Sequence, residues 1–261
     1  MPKISVITPD KAAEAALPEG FSSCTSAARY CDGAQFPLAL YRHDLAPGAR
    51  ITIGPMETDC AAYIWRGAAE AGGHELPVGS SAIVEKGARL ELFVQDGATI
   101  LTFAATRAGA SSGSVKGRAH ILPAGLVPRE SDLGNGVGGA IHADSDCPGC
   151  RVWLHENSFP GAPPPAPEDR QKGVHCHSED EIIFVTGGAM RLGNRLVGPG
   201  TALAIAAYTF YSFTPGPDGL SFINFRADRP GDIRFAAGHA ISETGYWRER
   251  LPRPAYLEAV L

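Results

Sequence analysis

Residues 173–188 read GVHCHSEDEIIFVTGG. Side chains two apart on an extended strand share a face, so His175 and His177 point one way and Cys176 the other. The polar run Ser178-Glu179-Asp180 makes a turn, and Glu181 opens the next strand, from which a carboxylate reaches the point the two imidazoles address. Two imidazoles and one carboxylate suit one divalent transition metal. Iron is favoured, manganese, zinc, nickel or cobalt would also accept these donors, and positions stay open for substrate and for oxygen or water. A bare His-x-His is common in proteins. The following Glu, the apolar strand and the Gly187-Gly188 turn set this one apart.

Outward from this stretch the chain repeats itself. AAYIWRGAAEAGGHELPVGSSAIVEKGARLEL, from Ala61, lies along EIIFVTGGAMRLGNRLVGPGTALAIAAYTFYSF, from Glu181, at an offset of about 120 residues. A one-residue gap near Val78 and Gly79 keeps the register, pairing Gly67 with Gly187, Leu76 with Leu196 and Gly79 with Gly200. Each copy is a strand, a glycine turn, a returning strand, a second glycine turn and a buried apolar strand. With 31 Gly and 21 Pro, short strands joined by tight turns are expected throughout. Four segments follow: an arm over 1–35 with a short helix near Asp10–Ala16, a barrel over 36–107, a Gly-rich connector over 108–149, and a second barrel with its tail over 150–261. The tail from Ile241 has room for one short helix.

The run HCHSEDEIIFVTGG resembles the first signature of the cupins, with His175, His177, Glu181 and Gly188 on its positions. The resemblance implies an all-β protein of two tandem cupin-type jelly-roll (double-stranded β-helix) barrels with a few short helices. The metal then lies inside the second barrel. The second cupin signature ordinarily brings a fourth ligand, a His. In GPGTALAIAAYTFYSF that position falls on Tyr211. Tyr211 is therefore a phenolate ligand, a substrate-binding or acid/base group, or a core tyrosine. His155, in RVWLHENSF, is the best substitute for the missing ligand and a candidate pocket residue beside Trp153. In the first copy the ligand positions read Pro55, Glu57, Ala61 and Leu90, which cannot hold a divalent cation, so that barrel is expected to be structural.

By strand parity Ile183, Val185, Leu203, Ile205 and Phe213 wall the second barrel and exclude water. Ala206, Tyr208 and Phe210 hint weakly at a flat or aromatic ligand. A metal in such a pocket fits an enzyme acting on a small organic acid or enol, an Fe(II)-type dioxygenase first. A non-redox lyase, isomerase or hydrolase, or a non-catalytic binding or sensor cupin, are the alternatives.

Composition bounds the rest. A net charge of −5 with no basic run argues against nucleic-acid and anionic-membrane partners. The N-terminus has no basic start before an apolar core, so a cytoplasmic protein is expected, with a small-molecule substrate and a homodimeric state. The six cysteines are expected as free thiols, Cys147-Pro-Gly-Cys150 being a plain turn.

Overall fold

The computed structural model describes residues 3–17, 20–23, 27–34, 36–106, 117–134, 136–145, 150–166, 169 and 171–258. They are almost entirely β, in antiparallel sheets, with one short α-helix, Glu243–Arg248, and a 3-10 turn, Ala124–Leu126. No helix among them is long and apolar enough to cross a membrane. The chain divides into two units. One holds residues 11–127, 142–152 and 254–261; the other holds 1–10, 128–141 and 153–253.

These boundaries cut across the expected segments. The arm is shared: Ile4–Ile7 pairs with Ala202–Ile205 in the C-terminal unit, while Ala13–Ala15 is a strand of the N-terminal unit, where a helix was expected. The connector holds strands: Ala119–Leu122 and Gly138–Asp144, every residue of both buried, and the exposed Arg129–Glu130 paired with the latter. Glycine reads as loop in a sequence, but a strand covered on both faces needs it. A Cβ on Gly139 would lie 2.7 Å from the Trp247 ring. The tail gives the expected helix at Glu243–Arg248, capped by Ser242, and then a strand, Leu257–Glu258, that joins the N-terminal unit beside Ala119–Leu122. Cys31, Cys60 and Cys176 are free, but Cys150 is in a disulfide, against expectation; Cys24 and Cys147 lie outside the described residues.

The two units repeat one pattern. In the C-terminal unit Ala202–Ile205, Glu181–Leu192, Thr214–Arg226 and Trp153–Phe159 are successive neighbours in a sheet. In the N-terminal unit the equivalents are Ser81–Val84, Cys60–Ala71, Ala98–Ala105 and Leu38–Leu45. Cys60 answers to Glu181, Gly67 to Gly188, Gly79 to Gly200 and Ser81 to Ala202, with one constant offset and no gap. This corrects the sequence register, which set Gly67 against Gly187 and broke at Val78–Gly79.

The backbone gives the reason. Gly67 and Gly188 take φ of +70° and +62° beside matching bulges. A Cβ on either would come within 2.2 Å of a carbonyl oxygen, Gly97 O in one barrel and Gly219 O in the other. Only glycine allows that approach. The corrected register, with the His175–Tyr211 bridge answering to Leu90–Ile53, moves the first barrel's ligand positions to Ile53, Pro55, Cys60 and Leu90. Ile53, Cys60 and Leu90 belong to that barrel's apolar core.

Each barrel is filled from its own strands. Leu45, Ile51, Ile53, Ala62, Ile64 and Ile100 are among the interior residues of the first. Ile183, Val185, Leu203, Ile205 and Phe222 line the second, with Phe213 packed against them, as strand parity required.

His43, fully buried in the first barrel, bonds Thr102 Oγ1 at 2.9 Å, and burial lowers its pKa to about 4. The neutral ring is therefore favoured on folding. That stabilisation is complete above the unfolded value near 6.5 and is lost as pH falls towards 4, a total of about 3 kcal/mol. Denaturant titrations at pH 7 and pH 4.5 should show a smaller stability loss in His43→Gln than in the wild type. Equal losses would remove His43 from the acid sensitivity.

Candidate metal centre

The short strand His175–Cys176 and the strand Glu181–Leu192 deliver the three expected donors to one place. The His175 backbone pairs with Tyr211, N–H to O=C in both directions at 3.0 and 2.9 Å, which holds the two residues side by side. The His175 and His177 rings stand 5.1 Å apart, centroid to centroid and nearly perpendicular. The Tyr211 ring lies 4.6 Å from His175 and 6.2 Å from His177. His177 Nε2 is 3.9 Å from Glu181 Oε1. Cys176 is buried, free and on the opposite face, as alternation demands.

His175 is held through Nδ1, which meets the Gly173 carbonyl oxygen at 2.7 Å. A carbonyl at Nδ1 fixes the tautomer and leaves Nε2 with its lone pair, the arrangement that orients metal-ligating histidines. His177 Nδ1 lies 3.1 Å from Glu243 Oε2, an ion-pair distance without an aligned hydrogen bond. Glu181 is 1% exposed, and its Oε1 has no hydrogen-bond partner. A buried carboxylate oxygen without a donor is costly.

Two residues that the sequence did not single out dominate the electrostatics. Arg226, at the end of Thr214–Arg226, is 1% exposed. Its guanidinium contacts Glu243 Oε2, Glu181 Oε2 at 3.2 Å and His177 Nε2 at 3.3 Å. Asn224, two residues back on the same face, donates to Glu181 Oε2 at 2.6 Å. Glu243 arrives on the first turn of the only described helix.

Burial alone would raise the pKa of both carboxylates. At Glu181 the His177 and Arg226 charges outweigh it, and at Glu243 Arg226 and then His177 do, so both are held below the usual range. Tyr211 moves the other way. Burial and then the facing Glu181 carboxylate raise its pKa well above the ordinary value, so it keeps its proton. His155 reaches the edge of this cluster, where burial lowers its pKa to about 3. Its Nδ1 accepts from Trp153 Nε1 at 2.8 Å, and its ring packs 4.8 Å from Trp247. Tyr208 and Phe210 are exposed at the surface, which removes their hint of an aromatic ligand.

Among the described residues no three His, Cys, Asp or Glu side chains close tightly enough to enclose an ion. The donor chemistry nonetheless fits a divalent cation. Two imidazoles stand beside a buried carboxylate oxygen, and the contending group is the Arg226 amino nitrogen at His177.

No protein-family model and no curated protein matches this sequence. Solved structures do. The protein Ylba from E. coli superposes with a TM-score of 0.63 at 16% identity, over 86% of this chain and 90% of that one. A provisionally assigned dioxygenase from Nostoc punctiforme gives 0.64 at 12%, over 93% and 87%. An oxalate decarboxylase from Lactobacillus farciminis, solved with formate, gives 0.60 at 12%, over 91% and 88%. These are cupin-fold proteins, and the two barrels described above are cupin barrels. At such identities the likeness extends to the fold alone.

Arg226→Leu should cost about 3–5 kcal/mol in metal-free protein at pH 7, because it strands two buried carboxylates. The deficit should shrink as pH falls and those carboxylates take up protons. A deficit constant from pH 7 to pH 4 would mean that packing, not charge, is what Arg226 supplies.

Proposed function

We propose that the C-terminal barrel binds one divalent transition metal through His175, His177 and Glu181 and acts as an enzyme on a small organic anion. The observation that carries this reading is the grouping of the His175 and His177 rings, 5.1 Å apart, beside the buried Glu181 carboxylate, with His175 fixed from behind at Nδ1. When bound, the metal would supply Lewis acidity and a template for the substrate.

The chain's own residues supply the remainder. Glu181, Glu243 and Arg226 together carry a net charge of −1, which a divalent cation would turn to +1. That balance favours a substrate with a carboxylate or enolate. Ile183, Val185, Leu203 and Ile205 keep water from the site, which strengthens every charge interaction in it. Asn224 and Arg226 fix one oxygen of Glu181 and leave the other for coordination. Tyr211 holds a proton at its hydroxyl facing Glu181, so in this state it is a hydrogen-bond donor and not a phenolate ligand, and it stands where a substrate proton could be held or moved.

The finer reading is an Fe(II)-type dioxygenase, since two His and one carboxylate leave adjacent positions for substrate and oxygen. The second reading is a non-redox lyase, isomerase or hydrolase, in which Tyr211 would move the substrate proton.

Protein purified anaerobically from its own host should contain about one equivalent of metal. His175→Ala and Glu181→Gln should both lose it while the N-terminal barrel stays folded. Full occupancy in either variant would refute the ligand assignment. Iron with substrate-dependent oxygen uptake selects the dioxygenase, whereas zinc without uptake eliminates it.

Tyr211→Phe should retain the metal and lose about 10²–10⁴-fold in kcat. An unchanged rate reduces Tyr211 to packing, and loss of metal makes it a ligand.

A further inference from the structure

We propose that the mouth of the N-terminal barrel is a second ligand site, built for a small, uncharged, single-ring organic molecule with one hydrogen-bonding group. The barrel that cannot hold a metal contains a cavity of about 460 Å³, within the usual range for small-molecule pockets.

Strand registers place this cavity at the position that the candidate metal centre occupies in the other barrel. Gly67 answers to Gly188, and the paired strands beyond them follow in step. Ala104 therefore stands where the C-terminal barrel has Arg226, and Thr102 stands where it has Asn224. On the next strand Ala39 and Tyr41 take the places of Trp153 and His155. All four N-terminal residues line the cavity. Alanines in place of an arginine and a tryptophan vacate the volume, and the loss of the arginine removes the fixed charge.

What lines the cavity fits a neutral, flat ligand. Phe21 and Tyr41 supply rings and Met56 a polarisable side chain. Phe21 stacks on His43 with centroids 5.5 Å apart, which holds that wall in place. His43 is neutral, its pKa lowered to about 4 by burial, and it occupies the Thr102 hydroxyl. The three charges lining the mouth are each paired, Lys86 with Glu57 at 3.0 Å and Asp32 with Arg29, from outside the lining, at 2.9 Å. A charged ligand would find no uncommitted counter-charge there. One buried polar atom of the lining residues is left over. Thr106 lines the cavity, and its Oγ1 is buried without a hydrogen-bond partner. A hydroxyl both donates and accepts, so an alcohol, phenol or amide group on the ligand would satisfy it once a turn about χ1 brings it into the cavity.

This site does not rest on the metal reading, and the test keeps the two apart. The full-length protein is titrated with 4-fluorobenzyl alcohol, followed by ¹⁹F NMR, with 4-fluorobenzoate as the charged counterpart. The alcohol should bind saturably with a Kd of about 1 mM or below, and the carboxylate about tenfold more weakly. Ala104→Phe, which refills the cavity, should abolish binding. Thr106→Val, which keeps shape and removes the hydroxyl, should weaken it about fivefold, and carries the test if Ala104→Phe does not fold. His175→Ala should bind like the wild type. No saturable binding by about 10 mM, tighter binding of the carboxylate, or binding lost in His175→Ala but kept in Thr106→Val would each overturn the proposal.

Discussion

A single guanidinium governs the C-terminal barrel. Arg226 is buried between two carboxylates from distant parts of the chain, Glu181 at the start of a central strand and Glu243 on a helix in the tail. Neither carboxylate could stay ionised at such depth without it, since an isolated buried charge costs several kcal/mol. Because Arg226 also reaches His177 Nε2, one side chain couples the charge state, the tail and the candidate donor set. The helix is only six residues long and has little independent stability. Its position is fixed by Glu243 on the polar side and by Trp247, which is packed with Leu133, Ile141 and Trp153, on the apolar side.

The same cluster largely balances its own charges. Two acidic groups and two histidines facing one space would repel or desolvate one another. Arg226 supplies positive charge there, and Asn224 adds a neutral donor to the oxygen that Arg226 already contacts. What stays unsatisfied is Glu181 Oε1, with His177 Nδ1, Asn224 Oδ1 and Arg226 Nε. A cation at the carboxylate oxygen would remove its share of the penalty without dismantling the Arg226–Glu243 pair, because that pair uses a different nitrogen from the one at Glu181 and His177. Structural support and candidate chemistry therefore draw on the same side chains but on different atoms.

Much of this was legible in the sequence, and the rest failed for identifiable reasons. Alternation along EIIFV and TALAI gave the barrel walls, since a half-buried strand leaves no freedom in which face is apolar. His-x-His and the following Glu were read from local spacing alone. Arg226 and Glu243 were not, because their partners lie dozens of residues away and neither sits in a motif. A nearer signal existed: an Asn and an Arg two apart, Asn224 and Arg226, on the inward parity of an otherwise apolar strand, where a polar side chain needs a partner. The strand at Gly138–Asp144 was hidden by glycine, which marks loops and tightly covered strands alike, and Ala119–Leu122 by its shortness. The register slip came from aligning apolar patterns; aligning the glycines forced to positive φ, Gly67 with Gly188 and Gly79 with Gly200, would have avoided it.

That glycine alignment also makes the two barrels comparable residue by residue, and the comparison shows how little separates a charged centre from a neutral cavity. The bulge geometry, the strand order and the interior parity are shared. The difference lies in a few inward positions. Cys60 stands for Glu181, Ala104 for Arg226 and Ala39 for Trp153. Removing Glu181 alone would leave Arg226 buried without one of its two carboxylates, and removing Arg226 alone would strand both. Each is a multi-kcal/mol defect. Such positions can change only together, as a charge-neutral set. The N-terminal barrel shows the outcome: an apolar interior, a thiol whose pKa burial raises in place of a carboxylate, and open space where the arginine and tryptophan would be. Electrostatic coupling among these side chains, more than any demand of the fold, therefore accounts for the first barrel lacking every donor of the set.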